Sequence, residues 1–107
     1  MSCPNIKNFS AWINSMPGSI NELIVQGEVE TSSGSITPML TEAEPQGINQ
    51  KILILNLHLK KSSNPGIQVI SYQGVRFVKK AEIGKYESVE INSEGEVCTS
   101  LSISEVI

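Results

Sequence analysis

The sequence predicts an all-β domain: an antiparallel β-sandwich of six or seven strands in an immunoglobulin-like style, with a small closed β-barrel as the alternative. Three observations carry this. Apolar residues alternate with polar ones over most of the chain after Gly18. Turn signals recur about every 8–15 residues, roughly the spacing of sandwiches and barrels. The chain of 107 residues is the size of one domain with its own core.

Residues 1–18 form the one segment with a different spacing. Ile6, Phe9, Trp12, Ile13 and Met16 recur at three- and four-residue steps, and Pro17-Gly18 stops the pattern. That predicts a short N-terminal helix or an extended arm, with residues 19–107 as the strand array. The period then becomes two. Leu23, Val25, Gly27 and Val29 share a face, opposite Ile24, Gln26, Glu28 and Glu30. Ile36–Leu40 is a short strand containing Pro38, which cannot donate to a ladder and belongs at an edge. Glu44-Pro45-Gln46-Gly47 fits a type I turn.

Lys51–Lys61 is the clearest strand. Leu53, Leu55, Leu57 and Leu59 fall on one face, predicted to be buried against a second sheet. Asn64-Pro65-Gly66 marks a type II turn. Ile67–Lys80 is long for one straight strand, and Gly74 suggests a bulge or a bend between sheets. Tyr86–Ile91 is a strand with Val89 and Ile91 inward, and Asn92–Gly95 is a hairpin turn. In the last strand Val97, Thr99, Leu101 and Ile103 share a face opposite Cys98, Ser100, Ser102 and Ser104.

Composition removes most chemistries. Charged residues are 18% of the chain, net charge is −3, and Arg76 is the only arginine, which denies a nucleic-acid binder its basic face. The longest apolar run, Ile52–Leu55, is far short of the roughly 20 residues that span a bilayer. No signal-peptide pattern opens the chain, so a cytoplasmic protein with two free thiols, Cys3 and Cys98, is expected. All the acids are Glu and the only imidazole is His58, on the polar face of its strand. A Ser–His–acid or Cys–His site would have to use His58, with a Cys98–His58 dyad as one form of it, and a carboxylate site would have to use Glu28/Glu30, Glu42/Glu44 or Glu94/Glu96. No metal-ligand spacing and no phosphate-binding loop is present, so neither a metal nor a cofactor is expected.

What remains is apolar surface. Ile24, Ile52, Ile54 and Ile70 lie opposite the core faces of their strands, and Phe9, Trp12, Ile13 and Met16 form an apolar face of their own. The expected function is therefore a non-catalytic domain that binds another protein or a second copy of itself, through that segment or an open strand edge. The alternatives are a binder of small apolar ligands, and a small enzyme using Cys98 or paired Glu.

Overall fold

In the computed structural model, residues 3–15, 18, 20–62 and 69–106 are described. They form seven strands: β1 (Ile6–Asn14), β2 (Glu22–Thr31), β3 (Ile36–Glu42), β4 (Ile52–Lys61), β5 (Ser71–Lys80), β6 (Ser88–Ser93) and β7 (Glu96–Val106). None of the described residues is helical, and no helix is long and apolar enough to cross a membrane. The strands make one sheet in the order β3-β4-β6-β7-β1-β2-β5.

The sheet is mixed. The β1–β7 and β4–β6 pairs are parallel and the others antiparallel, so the chain is all-β but not a strictly antiparallel sandwich. It folds over on itself at β7, whose first part pairs with β6 and whose last part, Ile103–Val106, pairs with β1. Leu23, Val25 and Val29 of β2 thereby cover the same core as Leu53 and Leu55 of β4 and Val89 and Ile91 of β6. The sheet is nearly closed, which fits the barrel alternative.

Closure between the end strands β3 and β5 is made by side chains. The Gln73 amide donates to the Ile36 carbonyl at 2.6 Å and to Thr31 Oγ1 at 2.7 Å. At the other end of the seam Lys79 pairs with Glu42. That hydrogen bond raises the Lys79 pKa above its ordinary 10.5, against the opposing effect of burial and with help from Tyr86. A raised lysine pKa contributes stability that is complete below the unfolded value and is lost as pH rises through the folded one. Lys79→Met is therefore expected to cost about 1 kcal/mol or less at neutral pH, because the pair is partly exposed. The difference from wild type in urea melts should shrink as pH passes 10.5. A pH-independent difference would mean that packing of the lysine stem, not its charge, holds the seam.

Pro38 fits its strand as expected. Ala43 N donates to Ile54 O and Ser62 N donates to Ser35 O, so bonded β3–β4 pairs alternate with unbonded ones. Pro38 faces Leu59 in an unbonded pair, and its missing N–H costs the ladder nothing. The Gln46 side chain extends that ladder, accepting from Ile54 N at 2.8 Å and donating to Ile54 O at 2.9 Å. In place of the expected type I turn, the Glu44–Pro45 peptide is cis.

Several expectations are corrected. The N-terminal helix or arm is strand β1, between β7 and β2. Its register shifts between Lys7 and Ser10, where Asn8, at φ 57°, and Phe9 lie against Gly27 of β2. The Phe9 ring occupies the place of a Gly27 side chain: a Cβ there would sit 2.4 Å from it. Gly74 marks neither a bulge nor a change of sheet, since β5 pairs with β2 without a break from Ser71 to Lys80. The hairpin turn is two residues, Glu94-Gly95, both at positive φ as a type I′ turn requires. Cys98 is the extra residue of a second bulge, since Thr99 pairs with Ile91 and Val97 with Asn92. That bulge breaks the expected alternation and leaves Val97 60% exposed.

The cysteines are not free. Cys3 and Cys98 form a disulfide across a Cα–Cα distance of 5.6 Å. Leu59 is 44% exposed where all four β4 leucines were expected to be buried. Pairing of β6 with β4 ends at Asn56, so Leu59 lies beyond the covered part of the strand. Pro17, Asn64, Pro65, Gly66 and Ile67, which carried turn and strand expectations, lie outside the described residues.

Candidate interaction face

The four residues of the expected N-terminal interaction segment do not stay together. Ile13 is 1% exposed and belongs to the core, and Phe9 packs against the core over Gly27. Met16 lies outside the described residues. Trp12, flanked by the buried Ala11 and Ile13, turns to the opposite, outer face of the sheet and remains half-buried there. Strand alternation, not helical spacing, separates them.

Around Trp12 the outer face of β1, β2 and β5 is ordered in rows by register. Trp12 pairs with Ile24, and Ile24 with Val78, which makes an apolar row across three strands. Ile24 is buried in this row, while Val78 is 44% exposed. The next row holds Ser10, Gln26 and Arg76. Beyond it Glu28 pairs with Gly74, and then Glu30 with Tyr72. Lys7 Nζ sits 4.0 Å from the centre of the Tyr72 ring, a cation–π contact that holds the ring against the face. The chain's only Trp, its only Arg and one of its two Tyr thus share one exposed face. Sequence reading found Trp12 but not Tyr72 or Arg76. Their outward position follows from the β2–β5 register, which a lone strand pattern does not contain.

Two polar features shape this face. The Asn8 side chain donates to Glu28 Oε2 at 2.6 Å, and that of Asn5 donates to Glu30 Oε1 at 3.3 Å. A depression of about 410 Å³ lies over Gly74, lined by Asn8, Gln26, Glu28, Val75 and Arg76.

The other candidate residues are apart from one another. His58 is exposed on β4, with Nε2 2.9 Å from Thr41 Oγ1. Cys98 has no thiol to offer as a nucleophile, because its sulfur is bonded to Cys3. Of the glutamate pairs, Glu28 and Glu30 are engaged by asparagines and Glu42 by Lys79, while Glu94 is part of a tight turn. Among the described residues no group of three or more His, Cys, Asp or Glu could hold a metal ion.

No family model, curated protein or solved structure matches this chain.

Proposed function

We propose that this chain is a non-catalytic β domain that binds another protein or a second copy of itself, through the outer face of β1, β2 and β5. The observation that carries the reading is the placement of Trp12, Arg76 and Tyr72 on one exposed face, in rows that begin at the apolar row Trp12–Ile24–Val78 and run along β5. Trp, Tyr and Arg are the residues most enriched where binding energy concentrates in protein interfaces, and a polar rim around an apolar centre is their usual setting. The charges of the face favour a protein over a polyphosphate. Lys7, Arg76 and Lys80 alternate with Glu22, Glu28 and Glu30, so no basic surface is presented to a phosphate backbone.

The disulfide bears on the compartment. Bonds of this kind persist in oxidising surroundings and are rare in the cytosol, so Cys3–Cys98 weighs against the cytoplasmic assignment and for an extracytoplasmic one.

A photo-crosslinking side chain placed at Val78 tests the reading against one placed at Thr37, exposed on β3 in the other half of the sheet. The protein is irradiated alone and in an extract of its source cells. Adducts are expected from position 78 and not from 37. Sedimentation across a hundredfold concentration range then decides whether the adduct is a second copy. Equal yields at both positions, or none at 78, would remove this face as the binding surface.

A further inference from the structure

We infer that the depression over Gly74 is a seat for a peptide carboxamide of the binding partner, held between the Glu28 carboxylate and the Arg76 guanidinium; this rests on the proposed protein-binding role of the face.

Gly74 has no conformational reason to be glycine. It lies in the interior of β5, its φ is not positive, and the ladder to β2 runs through it without a bulge. It has no steric reason either, since a Cβ built on it meets nothing within 4 Å. Gly27 in the paired strand differs, because there the Phe9 ring fills the space. A glycine inside a strand weakens it, and where bulge and crowding are absent the remaining uses are a bend at a barrel corner and close approach by a ligand or another backbone, of which the open depression over Gly74 favours the second. Gly74 therefore keeps open a space that the domain itself does not fill.

The walls of that space define the occupant. Glu28 is directly across from Gly74, and Arg76 is the next outward residue along β5. Asn8 holds Glu28 by Oε2, while Oε1 accepts no hydrogen bond among the described residues. The Arg76 guanidinium has no partner among them either. An acceptor and a donor thus flank a floor of bare backbone, and their charges cancel. A carboxamide matches this set: it is neutral and planar, its N–H donates to Glu28 and its carbonyl accepts from Arg76. A lone carboxylate would face Glu28, and a lone ammonium would face Arg76. A polypeptide partner carries an amide at every residue, and glycine at the floor lets its backbone come close.

The probe is N-acetylglycinamide, titrated into the ¹⁵N-labelled disulfide-bonded protein, with sodium acetate and methylammonium chloride as the single-charge controls. A probe this small binds in roughly the millimolar range or weaker. Saturable shifts are expected at the backbone amides of Gly74, Val75 and Gly27, with neither ion reproducing them. Gly74→Thr is expected to melt at a higher temperature than wild type, because it removes a strand glycine. It should nonetheless abolish the shifts at Val75 and Gly27. Arg76→Ala, with its fold checked by the same spectra, should weaken binding at least tenfold. Shifts that persist in Gly74→Thr, or that acetate or methylammonium matches, would overturn the carboxamide seat, as would no localised shift at all. These outcomes are separable from the cross-linking result: adducts at Val78 without a Gly74 response leave the binding face standing and remove only the seat.

Discussion

Reducing the Cys3–Cys98 bond is expected to destabilise the domain by about 2–5 kcal/mol, the range for native disulfides of small domains. The two cysteines are 95 residues apart, so the bond closes almost the whole chain in the unfolded state. On the chain-entropy account a loop of roughly 100 residues is worth about 4.7 kcal/mol, which sets the upper end. The folded geometry adds a local reason. β1 pairs with β7 only from Ala11 onward, and the earlier part of β1 is bound on one side alone, to β2. The disulfide ties that part back to β7 through the Cys98 bulge. Urea melts of the oxidised protein, with and without reductant, measure the effect, and the Cys3→Ser/Cys98→Ser protein should match the reduced form. Alkylation before reduction should label neither cysteine. A midpoint that reductant leaves in place, or prompt labelling of Cys98, would show that the bond is absent or contributes nothing.

The two bulges also explain which elements could be read from sequence. Strands β2, β4 and β6 keep strict alternation, and their inward residues Leu23, Val25, Leu53, Leu55, Val89 and Ile91 are all buried as expected. In β1 the extra residue at Asn8–Phe9 makes the step between the inward Ile6 and Phe9 three residues instead of two. Together with Trp12, which faces outward, that step imitates a helical spacing and hides a strand. In β7 the bulge at Cys98 puts Val97 outside although it shares a sequence parity with Leu101. A bulge is a property of two strands together, and one sequence segment does not display it.

The site was legible to the same limited extent. Trp12 stood out by its size and its place among apolar neighbours. Tyr72, Gly74 and Arg76 acquire meaning only when β5 is laid against β2 in register, which brings Gly74 opposite Glu28 and Val78 beside Ile24. Pairing of strands some 50 residues apart in sequence is a tertiary fact. Likewise nothing in the spacing of Cys3 and Cys98 brings them together; the parallel β1–β7 pair and the bulge do.

Leu55→Ala is expected to cost about 2–5 kcal/mol, the range for emptying a buried leucine site. Leu55 is fully buried, between Glu42 of β3 and Ile91 of β6 in the ladder, and it belongs to the same buried cluster as the β2 leucine and valines. Neighbours on three sides belong to the sheet framework and cannot collapse far into the space, which favours the upper part of the range. Leu59 supplies the control on the same face of the same strand. It is 44% exposed, beyond the end of β4–β6 pairing, so Leu59→Ala should cost about 1 kcal/mol or less. Paired urea melts of the two variants measure the contrast directly. Similar losses for both, or a loss below about 0.5 kcal/mol for Leu55→Ala, would place the core elsewhere than between β2, β4 and β6. A large gap between them would fix the point along β4 where the closed part of the sheet ends, four residues from a leucine of identical chemistry.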